Sequence, residues 1–530
     1  MSASITLSNL SWSLPDGQPL LSDIDLTFSS ERTGLVGRNG AGKTTLVRLI
    51  AGELHPQAGS VSINGTLGRL RQVVQTDPGL TIANLCGAAG ALDLPRRAEA
   101  GEASVDELAE ADWTVEARLA SALARLGLEI EPDARLGSLS GGQQTRAALA
   151  ALVFAEPDFL VLDEPTNNLD RDGRQAVVDL LAGWRGGAIV VSHDRDLLET
   201  MDAIVELNSL GAARYGGNWS RYRARKSLEL SAAQDALADA ERHAAAVARS
   251  AQAVAERKAR KDSVGRKKAA RGDMPKIMVG ARKNRSEGTS GAYQRLADNR
   301  RAEAEDQVAA ARARLEILQQ ATMTLAATGL PAGKSVLQVE GLTGGHVPGQ
   351  PVIRDLSFSI TGPERVAVTG PNGSGKTTFL ALLTGKLTPS AGTVRVMARH
   401  ALLDQRVSLL DASQTVLENF RRINPQADDN ACRRALARYM FRAEAALQTV
   451  SLLSGGQMLR AGLACVLGGT EPPQLLILDE PTNHLDIESI EAVEAGLRSY
   501  DGALLVVSHD EAFLEAVGVT RRLVFPAAGR

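Results

Sequence analysis

Long hydrophobic runs and cysteines are nearly missing from this sequence of 530 residues. No apolar run approaches the roughly 20 residues that a membrane-spanning helix needs. The opening stretch, MSASITLSNLSWSLPDG, lacks the charged and apolar regions of a secretion signal, so we expect a cytoplasmic protein. The three cysteines, Cys86, Cys432 and Cys465, are widely spaced and show no metal-ligand pattern, which favours ordinary core or surface positions.

Aromatic residues are scarce as well, at 3% of the chain, and positive charge is concentrated in one segment. Residues 221–300 contain 20 Lys+Arg and 9 Asp+Glu, a net charge of +11, whereas the other 450 residues sum to −14 and bring the total to −3. A basic segment on an acidic body indicates an anionic partner. Tyr222 is the one aromatic residue between positions 220 and 290, which argues against binding that depends on stacked bases.

The chain contains the same set of motifs twice. GRNGAGKTT (37–45), LSGGQ (139–143), LVLDEPTNNLD (160–170) and VVSHD (190–194) return as GPNGSGKTT (370–378), LSGGQ (453–457), LILDEPTNHLD (476–486) and VVSHD (506–510). The offset is 333 residues for the first motif and 314 to 316 for the others, so the first copy is longer by about 19 residues near positions 85–125. Duplication at so long a period predicts two domains of one architecture rather than a solenoid.

Each copy begins with a short apolar run and a glycine-rich turn. RTGLVG (32–37) and RVAVTG (365–370) are typical of buried parallel strands. The glycines let the backbone close around phosphate oxygens, and the next helix adds its positive N-terminal dipole. Lys43 and Lys376 would reach the β- and γ-phosphates. The predicted phosphate-binding residues are Gly37, Asn39, Gly40, Gly42, Lys43, Thr44 and Thr45, and in the second copy Gly370, Asn372, Gly373, Gly375, Lys376, Thr377 and Thr378.

Candidate ligands for Mg²⁺ follow from two of these motifs. The hydroxyl after the phosphate-loop lysine and the first acid of LVLDE or LILDE carry the donor atoms that phosphoryl-transfer sites use. These residues are Thr44 and Asp163 in the first copy and Thr377 and Asp479 in the second.

The second acid of each apolar strand and a histidine downstream are candidate catalytic residues. Glu164 and Glu480 fall on the other face of the strand or in the following turn, where a carboxylate would polarise an attacking water. His193 and His509 end two matched apolar runs, AIVVSHD and LLVVSHD. As a matched pair they are predicted to sense the γ-phosphate.

LSGGQ predicts a helix N-terminus that binds an anion. Ser140 or Ser454 would cap the helix, which we expect to begin at Gln143 or Gln457. Such an end needs a phosphate that the phosphate loop of the same domain does not present to it.

These motifs, in this order and present twice, resemble the nucleotide-binding domain of the ATP-binding cassette superfamily. The resemblance implies an α/β fold and a head-to-tail arrangement in which LSGGQ of one domain covers ATP held by the other. The covering residues would be Ser454, Gly455, Gly456 and Gln457 over the ATP on Lys43, and Ser140, Gly141, Gly142 and Gln143 over the ATP on Lys376.

The same resemblance implies a glutamine that contacts Mg²⁺ or water and an aromatic residue that stacks on adenine. The candidates are Gln72 (with Gln75 as an alternative) and Gln405 for the first role, and Trp12 or Leu14 and His346 or its neighbours for the second. Asn168 stands where the second copy has His484, and we interpret this difference as a small asymmetry at the domain interface.

A different kind of sequence separates the two domains. We place the first cassette at residues 1–216, the linker at 217–332 and the second cassette at 333–530. Residues 221–260 contain no Gly or Pro and predict a helix of roughly 60 Å, and a second helical run covers about 292–320.

Between these runs the stretch GRKKAARGDMPKIMVGARKNR is interrupted by Gly265, Gly272 and Pro275, which predicts a helical hairpin with a cationic tip. Folded RNA, recognised by shape and phosphate, fits such a tip, although composition also allows a solvated spacer. The candidate RNA contacts are Arg266, Lys267, Lys268, Arg271, Lys276, Arg282, Lys283 and Arg285.

Two cassettes, no membrane segment and a charged helical linker resemble the ABC-F family over essentially the whole chain, with DEPTNHLD and DMPKIMVGARKNR as the more specific parts. Members of that family hydrolyse ATP, bind the ribosome and insert the linker towards the peptidyl-tRNA site, and some confer antibiotic resistance. The resemblance implies a monomeric chain with ATP and Mg²⁺ as cofactors and rRNA and tRNA as partners. A DNA-associated repair ATPase and a fused-cassette ATPase subunit of a sugar importer are the alternatives.

Overall fold

A computed structural model describes residues 3–70, 79–109, 111–167, 169–208, 211–270, 298–312, 326–347, 349–483 and 485–526. The strands of the first cassette are β1 (Ser4–Ser13), β2 (Pro19–Phe28), β3 (Arg32–Val36), β4 (Ala58–Asn64), β5 (Leu67–Arg69), β6 (Phe159–Asp163), β7 (Gly187–Val191), β8 (Ala203–Asn208) and β9 (Gly211–Gly216). Its helices are α1 (Lys43–Ile50), α2 (Ile82–Leu85), α3 (Ala89–Glu99), α4 (Val105–Ala109), α5 (Val115–Arg125), α6 (Gly141–Ala155), α7 (Arg171–Ala182) and α8 (Arg195–Glu199).

The linker contributes two helices, and the second cassette repeats the pattern of the first. The linker helices are α9 (Trp219–Ala270) and α10 (298–312). The later strands are β10 (Ser335–Gly344), β11 (Ile353–Thr361), β12 (Arg365–Thr369), β13 (Ala391–Val396), β14 (His400–Leu403), β15 (Leu475–Asp479), β16 (Ala503–Val507) and β17 (Arg521–Val524). The later helices are α11 (Lys376–Leu383), α12 (Val416–Ile423), α13 (Asp429–Arg438), α14 (Gly455–Leu467), α15 (Ile487–Ser499) and α16 (Glu511–Ala516).

A mostly parallel sheet forms the centre of each cassette. Its strand order is β5-β6-β7-β3-β8-β9 in the first cassette and β14-β15-β16-β12-β17 in the second. Strands β6 and β15 are buried along their whole length, as their unbroken apolar sequences predict. The phosphate loop follows β3 or β12 and the catalytic acids follow β6 or β15, so both leave the sheet at its carboxyl edge.

A smaller antiparallel sheet covers the phosphate-loop helix in each cassette. Its order is β2-β1-β4 in the first cassette and β11-β10-β13 in the second. In the first cassette Ile5 and Leu7 of β1, Leu46 and Val47 of α1 and Phe159 of β6 are buried in one apolar cluster. Helix α1 is therefore packed between two sheets, and this packing fixes the direction in which its N-terminus faces.

The helical part of the first cassette contains the extra residues that the offsets place near 85–125. They form α3 and α4, which lie between α2 and α5 and have no equivalent between α12 and α13 of the second cassette. Leu92 of α3 is packed against the apolar core of this cassette. At least α3 therefore belongs to the packed body of the domain.

Helix α9 is longer than the sequence predicts. It runs for 52 residues and continues through Gly265, so the prediction that Gly265 breaks the helix is wrong. One glycine costs a helix about 1 kcal/mol, which the good helix formers around it can offset. Trp219 and Tyr222, in its first turn, are buried against the core of the first cassette.

The chain forms two compact units, residues 1–222 with 321–530, and residues 223–320. Within the second unit the Arg312 guanidinium donates a 2.7 Å hydrogen bond to Glu241 Oε1, which joins α10 to α9 as a hairpin requires. Across the described ranges we find no helix that combines the length and the apolarity needed to cross a membrane.

Candidate nucleotide sites

The phosphate loops adopt a backbone that needs glycine. Gly37 has φ +149° and Gly370 has φ +148°. A Cβ at Gly37 would overlap the carbonyl oxygen of Leu207, and one at Gly370 would crowd the backbone of Phe525. Glycine is thus required at the start of both loops by conformation and by space.

The lysine of each phosphate loop donates hydrogen bonds to carbonyl oxygens of its own loop. Lys43 Nζ donates to the carbonyl oxygens of Gly37 at 2.6 Å and Arg38 at 3.1 Å. Lys376 Nζ makes the matching bonds to Gly370 at 2.7 Å and Pro371 at 2.9 Å. Burial lowers the pKa of both lysines, while neighbouring carboxylates act against it. The loops therefore hold their positive charge where a phosphate would be cradled.

Each loop opens into a cavity that collects most of the candidate residues. The first, of about 440 Å³, is lined by Leu14, Leu20, Asn39, Gly40, Gly42, Lys43, Thr44, Thr45, Asp163, Glu164, Asn167, Val191 and His193. The second, of about 380 Å³, is lined by Leu169, Arg174, Val352, Asn372, Gly373, Gly375, Lys376, Thr377, Thr378, Gln405, Asp479, Glu480, Asn483, Val507 and His509.

The adenine-stacking candidates separate in the structure. Leu14 lines the first cavity, whereas Trp12 packs against the apolar core of its cassette. Val352 lines the second cavity, and His346 is not among its lining residues. Aliphatic side chains therefore occupy the places where the resemblance implies an aromatic ring.

The candidate catalytic glutamates stand in the turn directly after their strands. Both have a positive φ, +50° at Glu164 and +47° at Glu480, which is uncommon for residues other than glycine. His193 Nε2 lies 3.2 Å from Glu164 Oε1, and His509 Nε2 lies 3.4 Å from Glu480 Oε1. Each cassette thus pairs its glutamate with the histidine predicted for the same site.

Burial sets the protonation of both pairs. It raises the pKa of Glu164 to about 8 and that of Glu480 to about 7, although Lys43 and Lys376 act in the other direction. It lowers the pKa of His193 to about 3 and that of His509 to about 4. Both histidines are therefore neutral near pH 7, and both glutamates have a high affinity for a proton.

A divalent cation fits the carboxylate and hydroxyl at the first site. Burial raises the pKa of Asp163 and the nearby Thr44 hydroxyl opposes this rise, while Asp163 Oδ2 is buried without a hydrogen-bond partner in the described part of the chain. An orphaned oxygen next to a hydroxyl is the donor set that Mg²⁺ uses beside phosphates. Thr377, Asp479 and Gln405 line the second cavity together. Gln72 and Gln75 lie outside the described residues.

The two cassettes exchange a hydrogen bond at each phosphate loop. The backbone N–H of Asn39 donates to Asp486 Oδ2 at 2.7 Å, and the backbone N–H of Asn372 donates to Asp170 Oδ2 at 3.4 Å. Each aspartate also caps the helix that follows it, α15 or α7. Neither aspartate is among the residues predicted from the sequence, although their matched place at the end of DEPTNNLD and DEPTNHLD was a signal for them.

Ion pairs also join the cassettes, and they do not follow the internal repeat. Arg38 Nε lies 2.5 Å from Glu488 Oε2, and Arg195 Nη1 lies 2.7 Å from Glu494 Oε1. The residue that matches Arg38 in the phosphate loop of the second cassette is Pro371, which carries no charge. The polar contacts around the two sites are therefore unequal.

The LSGGQ segments form capped helix N-termini. The Ser140 hydroxyl accepts from the N–H of Gln143, whose side chain accepts from Ser140 N, and Ser454 and Gln457 repeat this capping box. The helices begin at Gly141 and Gly455, two residues before the predicted start, because the glutamine of the capping box is the third residue of the helix. Burial lowers the pKa of Arg460 on α14, Asp486 opposes the shift and Arg38 of the first phosphate loop adds to it, so the Arg460 side chain lies near that loop.

Comparison with known proteins agrees with this geometry. The family model described as ABC transporter matches residues 21–167 and 353–483, more than half of the chain. The tylosin resistance ATP-binding protein TlrC of Streptomyces fradiae is 34% identical over 93% of this chain and 92% of its own. ABC transporter F family member 2 of Arabidopsis thaliana is 30% identical over 98% of this chain and 76% of its own. The chain belongs to the ABC-F family.

Two further proteins are similar to this ABC-F protein, one in sequence and one in fold. The energy-dependent translational throttle protein EttA of Mycobacterium tuberculosis is 31% identical over 94% of this chain and 87% of its own. A chain from the crystal structure of archaeal ribosomal stalk protein aP1 with ribosome recycling factor aABCE1 has 19% identity and a TM-score of 0.56, over 97% of this chain and 87% of that one. This second likeness concerns the fold alone, two cassettes in one chain. As a family, such ABC ATPases bind and hydrolyse ATP.

The structure of this ABC-F protein describes only three of the eight linker residues that are predicted to contact RNA. Arg266, Lys267 and Lys268 belong to the last turns of α9. The other five, Arg271, Lys276, Arg282, Lys283 and Arg285, lie outside the described residues, as do Asn168 and His484. Their contacts with RNA stay predictions.

Proposed function

We propose that this ABC-F protein hydrolyses ATP to ADP and phosphate at two sites between its cassettes and uses this cycle to bind and leave the ribosome in the cytoplasm. One observation favours ATP-driven clamping above all others. Each phosphate loop donates a backbone hydrogen bond to an aspartate of the opposite cassette, so nucleotide bound in the loop lies beside the interface.

In the proposed reaction the phosphate loop binds the triphosphate and the glutamate prepares the water. Lys43 or Lys376 turns from its own loop carbonyls to the β- and γ-phosphates. Glu164 or Glu480 orients the attacking water and takes its proton, which suits a buried carboxylate whose pKa is raised. His193 or His509, neutral and beside that carboxylate, donates to the γ-phosphate or the water.

Magnesium would be held by Thr44 and Asp163 at the first site and by Thr377, Asp479 and Gln405 at the second. Bound there, it would neutralise phosphate charge during transfer. The orphaned Asp163 Oδ2 supports this assignment at the first site.

The capped LSGGQ helices would close each site from the opposite cassette. Ser454, Gly455 and Gly456 would contact the γ-phosphate at the first site, and Ser140, Gly141 and Gly142 would do so at the second. A helix N-terminus favours an anion through its free N–H groups and its dipole. Loss of the γ-phosphate removes that shared ligand, so hydrolysis would let the cassettes separate.

The ribosome as partner is supported by relatives and by charge. One relative is named for tylosin resistance and another as a translational throttle, and both match more than nine-tenths of this chain. The linker segment, residues 221–300, carries a net charge of +11, which suits the phosphates of rRNA and tRNA near the peptidyl-transferase region.

The ATPase assignment is tested with the double variant Glu164→Gln and Glu480→Gln. Phosphate release should fall at least 100-fold, while ATP binding measured by equilibrium dialysis should persist at two molecules per chain. The variant should also accumulate on ribosomes with ATP and stop translation in vitro. Normal phosphate release by this variant would remove both glutamates from the mechanism.

The linker assignment is tested by reversing Lys267, Lys268 and Arg271 to Glu. Co-sedimentation with ribosomes should weaken and the slope of binding against salt should become shallower, because fewer phosphates are neutralised. The matched control reverses Arg433, Arg434 and Arg438 on α13, which are exposed and give the same change in net charge. Equal losses in both variants, or tighter binding to duplex DNA than to ribosomes, would contradict the assignment.

A further inference from the structure

The first turns of α7 and α15 occupy matched places in the two cassettes but carry different side chains. Asp170 and Asp486 cap these helices and accept from the opposite phosphate loops. Four residues later, on the same helix face, the first cassette has Arg174 and the second has Ile490. The internal repeat is therefore broken at a position one turn from the interface.

Arg174 belongs to the first cassette but lines the nucleotide cavity of the second. It shares that cavity with Lys376, Glu480 and His509, the residues that mark the γ-phosphate end. Its positive charge acts on both Glu480 and His509. A guanidinium from one cassette is thus brought to the reaction centre of the other.

The protein leaves this guanidinium incompletely paired. The nearest acid is Asp194, whose Oδ2 lies 3.9 Å from Nη1, beyond hydrogen-bond distance. Nε is buried and has no hydrogen-bond partner within the described ranges, and the side chain is only 17% exposed. A largely buried cation with an unpaired Nε beside a phosphate loop is suited to an anionic ligand.

At the first site the described residue in the matched place, Ile490, carries no charge. Ile490 is 3% exposed and packs in the apolar core of the second cassette. Arg38, the cation that distinguishes the first loop, is bound by Glu488 at 2.5 Å. The two sites therefore share their phosphate loops and differ in the charge that the opposite cassette supplies.

We propose that Arg174 acts in trans on the γ-phosphate of the nucleotide at the second site and thereby makes the two sites unequal. Charge on the transferring phosphoryl group increases towards the transition state, and a guanidinium already in place stabilises it without reorganisation. The first site, with Ile490 there, lacks this contribution. The inference rests on the proposed hydrolysis of ATP at the second site.

The experiment compares binding of MgADP with that of MgADP–aluminium fluoride, a stand-in for the transferring phosphoryl group. Equilibrium dialysis of the full chain should give two molecules of either probe per chain. In Arg174→Gln one of the two should bind the aluminium fluoride complex about tenfold more weakly, with MgADP affinity unchanged at both sites. Arg174→Lys should retain part of the affinity because the charge remains.

Arg171→Gln is the matched control, since Arg171 starts the same helix and its side chain is 75% exposed. It should leave both probes unaffected. Equal weakening of both sites by Arg174→Gln, weakening of MgADP to the same extent, or no change at all would overturn the proposal. Failure of the unaltered chain to bind either probe would overturn the proposed function itself, and this inference with it.

Discussion

Removal of one partner from the buried ion pair between α8 and α15 should weaken the closed interface. Arg195 and Glu494 lie 2.7 Å apart, with side chains 16% and 5% exposed. The pair joins the cassettes, so its loss acts on their association as well as on the stability of each. By the internal repeat, Arg195 matches Glu511 and Glu494 matches Val178, so this ion pair has no counterpart between the two copies. Each substitution therefore removes one ion pair between the cassettes.

The expected size follows from which group is left behind. Arg195→Ala strands a carboxylate that is almost fully buried, and breaking such a pair costs about 3 kcal/mol or more, roughly a 100-fold shift in the closing equilibrium. Glu494→Ala strands a more solvated guanidinium, so we expect about 2 kcal/mol. The double variant Arg195→Met with Glu494→Leu leaves no unpaired charge and should lie close to the unaltered protein.

The closure defect of Arg195→Ala should also depend on pH, and the direction of this dependence is an independent test. Burial already raises the pKa of Glu494, with Asp510 adding to the rise and Arg195 and Arg498 opposing it. Without Arg195 the pKa rises further, and the carboxyl becomes neutral as pH falls. The defect should therefore shrink at lower pH and grow at higher pH.

Closure is measured by energy transfer between dyes on the two cassettes during an ATP titration, in the Glu164→Gln and Glu480→Gln background. Because closure takes up two ATP molecules, the 100-fold shift in the closing equilibrium should raise the ATP concentration at half-closure by about tenfold in Arg195→Ala. The rise should be much smaller in Arg195→Met with Glu494→Leu. A rise below about threefold in both single variants, or simple additivity in the double variant, would refute the reasoning.

Three smaller changes test the fold. Asp202→Asn should destabilise the first cassette by about 1 kcal/mol at pH 7, because hydrogen bonds from Arg32 hold the pKa of Asp202 below its usual value. That contribution is present above about pH 4 and is lost as pH falls through the lowered pKa, so the urea midpoints of the two proteins should converge in acid. Gly187→Ala should cost about 1–3 kcal/mol in thermal unfolding, because a Cβ there would overlap the ring of Phe159. Ser454→Ala should lower the free energy of unfolding, measured by urea titration, by about 1 kcal/mol through loss of the α14 cap, and Ser454→Asp should retain it.

Local chemistry was predictable from the sequence wherever a short segment determines its own structure. The phosphate loops are examples, since Gly37 needs a backbone that only glycine adopts easily and a lysine follows at fixed spacing. The capping boxes are another, although the predicted helix start was two residues late. Gly265 shows the limit of this reasoning. Glycine often ends a helix, but here the good helix formers on both sides of Gly265 allow α9 to continue through it.

Contacts between the cassettes were not predictable from one sequence. Arg38 and Glu488 are 450 residues apart, and Arg195 and Glu494 are 299 apart. No periodicity or spacing connects such positions, because they meet only after both domains fold and dock. The aliphatic residues at the expected adenine positions needed the structure for the same reason, since Trp12 and Leu14 are neighbours in sequence and only packing separates their roles.

The contacts between the cassettes that occur in both copies differ in kind from those that occur once. The aspartate bonds to Asn39 and Asn372 go to backbone N–H groups, so each needs one conserved side chain and a loop whose shape glycine already fixes. The ion pairs join two side chains, and retaining one in both copies requires two matched residues. Between the cassettes, the two backbone bonds are present in both copies, whereas the Arg38–Glu488 and Arg195–Glu494 ion pairs are each present once. On this physical ground we expect two sites that bind phosphate alike and differ in the charges around it, so that silencing Glu164 and silencing Glu480 should give chains with different turnover.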